Sequence, residues 1–187
     1  MGETADRFAN LSRQFTQRAA AVPAGAWVNP APCEGWVARD IVAHLVEWMP
    51  AFLLANWGIA APVVPSVEED PVGAWLAVSD AINAGLADPQ VATLARDSPA
   101  GRKTFEEAVA MFGLADVLVH TWDLARATGL DEQLDRDEVH RTVTELESID
   151  PAMEQQMRQS GHYGARIAVP ADADEQTRLI AFMGRQP

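Results

Sequence analysis

The fold is decided by one long amphipathic helix, which is predicted for 104-TFEEAVAMFGLADVLVHTWDLARATG-129. Thr104 and Glu107 form a capping-box pair at its start, and Gly129 is typical of the residue just past a helix C-terminus. Between these ends, core-type residues recur every three or four positions and mark one continuous face. This stretch is therefore expected to be the longest helix of the protein, with one face in the core.

Two polar residues interrupt that apolar face, Asp116 and His120. Four residues of helix turn through roughly 400°, so both side chains project from one side about 6 Å apart along the axis. A buried carboxylate is costly unless it is paired, hydrogen-bonded or bound to a metal. The pair alone favours a plain Asp–His hydrogen bond. If the helix that carries His44 packs alongside, the three groups instead form an N,N,O site for a divalent metal ion.

The remaining pattern predicts an all-α protein, a four-helix bundle with crossover connections plus a short C-terminal helix, in one domain spanning residues 1–187. Residues 88–103 read as irregular, with a short extended piece at 91–94, and residues 161–170 as extended. The other predicted helices run over Thr4–Val22, from Val37 to Phe52 with a kink or end at Pro50, from Pro71 with Asp70 as its N-cap, from Asp135 onward, and over Gln176–Met183.

Composition narrows the class of protein. The 187 residues are 48% hydrophobic, enough for a chain of this length to bury roughly 70% of its unfolded surface. The net charge of −13 and the scatter of the 14 basic residues argue against nucleic acid as a partner. No apolar run approaches the roughly 18 residues of a membrane span, so we expect a soluble protein. The single cysteine and the absence of a secretory signal pattern predict a cytoplasmic location.

Several neighbours of the three candidate ligands are candidates for supporting roles. Asp123 lies three residues after His120 and is a candidate partner for the far imidazole nitrogen or a cap for a loop amide. Glu47 could be a fourth ligand, a general base or a solvated charge, and the last reading is favoured. Trp48 and Trp122 are candidate walls of a pocket. Cys33 has no basic neighbour or Cys-x-x-Cys partner in sequence that would make it reactive.

A resemblance to a known family is carried by three segments, 32-PCEGWVARDIVAHLVEW-48, 115-ADVLVHTWDLARATG-129 and 169-VPADADEQTRLIAFMGRQP-187. Their GW-x₇-HL and VH-x-WDLA-x-ATG motifs resemble the DinB-like, mycothiol-dependent maleylpyruvate isomerase N-terminal superfamily, in its single-domain actinobacterial metal-binding branch. The resemblance implies a four-helix bundle that holds a divalent metal, usually zinc, with Ni²⁺ or Fe²⁺ as alternatives. The positions that match the family's ligands are His44, Asp116 and His120.

The chain also differs from that family. The isomerase branch typically has the longer Glu where this chain has Asp116, so the metal is expected to lie closer to that helix or to keep an extra water. The branch carries a further C-terminal domain that contributes to substrate handling, which we expect this chain to lack. The resemblance therefore implies a low-molecular-weight thiol such as mycothiol as cosubstrate, with a reaction other than maleylpyruvate isomerisation.

Three functions remain open from the residues. The first is a metal-dependent thiol transferase or isomerase that acts on a small electrophile. The second is a non-catalytic metal or small-ligand binding module with a stress-related role, which a closed fourth ligand such as Glu47 would favour. The third is a metal-free helical interaction protein. The expected partners are a small-molecule thiol and an electrophilic substrate, and a homodimer is one of the oligomeric states left open.

Overall fold

The computed structural model describes residues 2–98, 101–159 and 164–187, and within them the protein is predominantly α-helical, which confirms the predicted fold class. Two strands pair as an antiparallel hairpin. The elements are α1 Glu3–Ala21, α2 Ala38–Met49, α3 Pro71–Ala87, α4 Pro89–Ala92, β1 Ala95–Ser98, β2 Gly101–Thr104, α5 Phe105–Ala108, α6 Leu114–Thr128, α7 Arg136–Glu147, α8 Pro151–Gln159 and α9 Glu175–Phe182.

Four helices form the predicted bundle. α1 packs against α3 and α6, and α2 packs against the same two helices from the other side. α1 and α2 therefore lie diagonally opposite, and so do α3 and α6. The chain crosses the end of the bundle between α1 and α2 and again between α3 and α6, which are the expected crossover connections.

The bundle core is formed by the apolar faces that the periodicity predicts. Phe8 and Phe15 of α1, Leu45 of α2 and Trp75 of α3 have no solvent-exposed surface. Burial of each such side chain contributes roughly 1.5–3 kcal/mol. The N-cap of α3 is also as predicted, because the side chain of Asp70 accepts a hydrogen bond from the backbone N–H of Gly73.

The long helix begins and ends at the predicted residues. The Thr104 hydroxyl accepts from the N–H of Glu107, the Glu107 carboxylate accepts from the N–H of Thr104, and Gly129 ends the helix with φ of 70°. Phe105–Thr128 is long and apolar enough to cross a membrane, which the sequence analysis did not anticipate. However, 72% of its most apolar window is buried inside the protein, as in the core helix of a soluble protein.

Both helices of the candidate site contain a π-helical segment. Pro50–Leu54 continues α2 in this form, and Val109–Gly113 joins α5 to α6. The first segment begins at a proline, which lacks the N–H that a regular α-helix would use there. The sequence left open whether Pro50 kinks or ends the helix. In the structure the α-helix ends at Met49 and the chain continues as a π-helix from Pro50.

One local prediction is wrong. Residues 91–94 are not extended, since Val91 and Ala92 belong to the helical turn Pro89–Ala92, whose N-cap is Asp88. The extended backbone lies just after it, in the hairpin formed by β1 and β2. The strands carry charged and small residues with no apolar alternation, so periodicity gave no signal for them.

The chain folds into two compact units, Met1–Glu132 and Gln133–Pro187. In the second unit α7 packs against α9, and Asp135 caps α7 as predicted. The short C-terminal helix is also confirmed. Residues 161–163 of the segment predicted as extended lie outside the described part of the chain, and residues 164–170 form neither helix nor strand. The single domain over 1–187 stays a prediction.

Candidate metal centre

Three polar side chains from two packed helices converge within the first unit. His44 projects from α2, and Asp116 and His120 project from α6. The Nε2 atom of His44 lies 3.5 Å from Oδ2 of Asp116, and Nε2 of His120 lies 3.4 Å from Oδ1 of the same carboxylate. The two imidazole rings are 4.9 Å apart between centroids. The convergence that the sequence predicted, conditional on the packing of these helices, is observed.

The carboxylate of Asp116 is held from several directions. The indole N–H of Trp48 donates to its Oδ2 atom over 2.9 Å. Burial opposes ionisation of this half-buried group, but the imidazoles of His120 and His44 outweigh burial and hold the pKa of Asp116 below its usual range. Asp116 is therefore an anion that faces both imidazoles.

His120 is buried and oriented by a second carboxylate. Its Nδ1 atom lies 3.0 Å from Oδ2 of Asp123, which is fully buried. A carboxylate is only an acceptor, so Nδ1 carries the hydrogen and Nε2 points toward Asp116. Burial alone would lower the pKa of His120, but Asp116 and Asp123 raise it well above the usual value. This answers the sequence alternatives for Asp123, which contacts the far nitrogen of His120.

Cys33 also reaches this cluster, which the sequence analysis missed. Its Sγ atom lies 3.5 Å from Oδ2 of Asp123, and its thiol contributes a hydrogen bond that raises the pKa of His120. Cys33, His120 and Asp123 thus form a second group of metal-type ligand atoms within 4.8 Å of one another. The connector that carries Cys33 has no periodicity, so only the tertiary structure brings it to α6.

Two tryptophans cover the imidazoles. The Trp36 ring lies 5.2 Å from His44 and stacks on His120 at 6.0 Å with an interplanar angle of 16°. Trp48 lies 6.2 Å from His44 between centroids. Trp36 belongs to the irregular segment before α2, and its GW position in the sequence motif was the available signal for it.

The other sequence candidates lie elsewhere. Glu47 is exposed and belongs to neither group of ligand atoms found among the described residues, as expected for a solvated charge. Trp122 is buried two positions after His120, on roughly the opposite side of α6, and the guanidinium of Arg126 lies 4.5 Å above its ring. Of the two candidate pocket tryptophans, Trp48 is the one in contact with the cluster.

A four-helix bundle with two imidazoles and a carboxylate facing each other from adjacent helices defines a class of proteins with a candidate metal site in the bundle. Within that class, the chain belongs to the family of the mycothiol maleylpyruvate isomerase N-terminal domain, whose family model matches residues 8–125. The match includes all three candidate ligands. It confirms the resemblance carried by the sequence motifs.

The relatives found carry no assigned function. The chain is 28% identical over 160 residues to uncharacterized proteins from two strains of Mycobacterium tuberculosis, with 84% of this chain and 84% of each relative covered. No solved structure matches the chain. The comparisons therefore identify the family, and the function is argued from the site.

Proposed function

We propose that the protein binds a divalent metal ion through His44, Asp116 and His120 and uses it as a thiol transferase or isomerase on a small electrophile. The observation that carries this proposal is the arrangement of the three side chains, with Nε2 atoms 3.5 Å and 3.4 Å from the two oxygens of one carboxylate. One ion in that space can contact all three. Two imidazoles and one carboxylate suit Zn²⁺, and also Ni²⁺ or Fe²⁺.

The surroundings of the three groups fit a metal site better than a simple Asp–His pair. Asp123 accepts from Nδ1 of His120, which leaves Nε2 aimed into the cluster, and metal-ligating histidines are commonly oriented in this way. Trp48 restrains one oxygen of Asp116 in the same manner. Both hydrogen bonds hold metal-ligand atoms in place before an ion binds. Metal binding therefore costs less side-chain conformational entropy.

The proposed reaction follows from three protein ligands and a reachable site. When bound, the ion would lower the pKa of a thiol or water so that a nucleophile exists at neutral pH. The side chains of His44 and Asp116 are 31% and 27% exposed, so a small thiol has access to them. The Trp36 ring covers both imidazoles from one side. Family membership supports mycothiol as the thiol.

A non-catalytic binding module is the alternative, and the position of Glu47 argues against it. A structural metal site usually has four protein ligands. A catalytic metal site has three and keeps one position free for water or substrate. Glu47 is exposed and outside the cluster. Among the described residues, this group of ligand atoms consists of His44, Asp116 and His120 without a fourth member, which supports the catalytic proposal.

Elemental analysis followed by a thiol-conjugation assay tests this proposal. Protein purified without chelator should contain about one first-row metal ion per chain, and it should conjugate mycothiol to 1-chloro-2,4-dinitrobenzene. Removal of the metal should abolish turnover, and added zinc should restore it. Protein that contains no first-row metal and shows no turnover with zinc would contradict the proposal, whereas bound metal without turnover would favour the binding module.

A further inference from the structure

The half-buried aromatic side chains of the described residues all lie in one place. Eight of the twelve Phe and Trp side chains are buried. The other four, Trp36, Trp48, Phe52 and Phe112, are partly exposed to solvent. We refer to these four residues as the aromatic row. Among the described Phe and Trp residues, partly exposed rings therefore occur in this row and not elsewhere on the surface.

The aromatic row is continuous with the candidate metal centre. Trp36 lies 5.2 Å from the His44 ring, and Trp48 lies 6.2 Å from that ring on the way to Phe52. Phe52 is 6.3 Å from Trp48 and meets Phe112 edge to face at 5.1 Å. A ligand whose reactive atom lay at the three candidate ligands could therefore extend over these rings.

The two phenylalanines of the row stand on unusual backbone. Phe52 belongs to the π-helical segment Pro50–Leu54, and Phe112 belongs to the π-helical segment Val109–Gly113. Single-turn π segments within helices occur frequently at functional sites. The first segment begins six residues after His44 and the second ends three residues before Asp116, and the rings of Phe52 and Phe112 are in contact. This is a second observation, independent of exposure, that points to a binding role.

The charge around the row restricts the ligand. The chain carries a net charge of −13, and the Asp116 side chain lies beside the row, where it accepts a hydrogen bond from Trp48. Glu47 is exposed on the same helix as Trp48. The four rings themselves are uncharged, so they offer apolar contact without a counter-ion. The row therefore favours an uncharged aromatic group.

We propose that the aromatic row binds the uncharged aromatic part of the electrophilic substrate, whose reactive carbon then lies at the candidate metal centre. The proposal rests on the proposed function and adds the substrate class. The substrate is an electrophile that carries an uncharged aryl group. Tilted and edge-on ring contacts, such as those already present within the row, are the geometry that a bound aryl group would extend.

Three related unsaturated compounds test this in zinc-loaded protein without thiol, so that binding is measured without reaction. Methyl cinnamate is neutral and has an aryl group, methyl crotonate is neutral and lacks it, and fumarate is a dianion. Ligand-observed NMR titration should show that methyl cinnamate binds about tenfold more tightly than methyl crotonate. Fumarate can bind the zinc ion through its carboxylates, so its affinity reports the ion and not the row. Equal binding of methyl cinnamate and methyl crotonate would overturn the proposal.

A variant of the row, with a matched control, locates the binding. Phe112→Ala should weaken methyl cinnamate binding about five- to tenfold and leave methyl crotonate binding unchanged. Met111→Ala removes a 53% exposed apolar side chain from the same segment and should change neither. Unchanged methyl cinnamate binding in Phe112→Ala would overturn the proposal. The proposal would also be overturned if the unchanged protein bound neither ester and formed a dimer that Phe112→Ala dissociates. The row would then be the contact surface between two copies of the chain.

Zinc titration of the same samples separates this proposal from the proposed function. Phe112 packs on Phe52 and supplies no ligand atom, so Phe112→Ala should bind zinc as the unchanged protein does. Failure of the unchanged protein to bind zinc would contradict the metal site, and loss of the preference for methyl cinnamate would contradict the aromatic row. The two results are read from different signals.

Discussion

The Nδ1 atom of His120 and the Oδ2 atom of Asp123 are 3.0 Å apart, one turn along the same helix, and both side chains are almost fully shielded from solvent. This hydrogen bond keeps a proton on Nδ1 of His120 and turns the other nitrogen toward Asp116. Asp123 thereby determines the direction of a candidate ligand without being one in the proposed site.

Asp123→Asn should weaken zinc binding about 10- to 100-fold. The amide has the shape of the carboxylate but lacks its negative charge, which makes the His120 imidazole a stronger metal ligand. Zinc affinity is measured by competition with a chromophoric chelator. Asp80→Asn, at an exposed position of α3, is the control and should bind zinc normally. Equal affinity in both variants would contradict the orienting role.

His44→Ala and His120→Ala should each abolish stoichiometric metal binding, since a site of three protein ligands retains little affinity with two. Elemental analysis after desalting measures the loss, and circular dichroism verifies that each variant is folded. His140→Ala is the matched control, because His140 is exposed on α7 and pairs with Glu175. Stoichiometric metal in either ligand variant would count against the assignment.

The metal-free protein should be more stable at about pH 5.5 than at about pH 8.5. The pKa of His120 is raised in the folded protein, so its stabilising contribution is complete below about pH 6.5 and is lost as the pH rises through the folded-state pKa. The lowered pKa of Asp116 adds stability that is lost only as the pH falls below about 4.

Urea denaturation in the presence of chelator measures this pH dependence. His120→Gln removes the titrating imidazole. The free energy of unfolding of this variant should therefore fall less steeply above about pH 6.5 than that of the unchanged protein. An equal decrease in the variant and in the unchanged protein would show that other groups are responsible.

Gly129→Ala should destabilise the protein by about 1 kcal/mol, because Gly129 ends α6 at a φ of 70°, where a Cβ atom is strained. Gly25→Ala is the control, since its added Cβ would meet no atom within 4 Å and its φ is not positive. Denaturant midpoints compare the two. A Gly129→Ala protein as stable as Gly25→Ala would contradict the role of the glycine in ending the helix.

Most of the bundle could be predicted because its signals are local. The capping box at Thr104, the N-cap at Asp70 and the apolar stripes depend on residues within one or two turns of each other. The π-helical segments could not be predicted in this way, since they differ from an α-helix by one residue of hydrogen-bond register and leave no period of their own. The hairpin of β1 and β2 was missed for lack of alternation.

The sequence by itself determined the helices, their caps and the placement of Asp116 and His120 on one helical face, because these follow from spacing along a single element. It also supplied the family through its motifs. Only the tertiary structure decided that His44 faces them and that Cys33 lies against Asp123. Such contacts join residues far apart in the chain, and they depend on how whole faces pack and not on any local pattern.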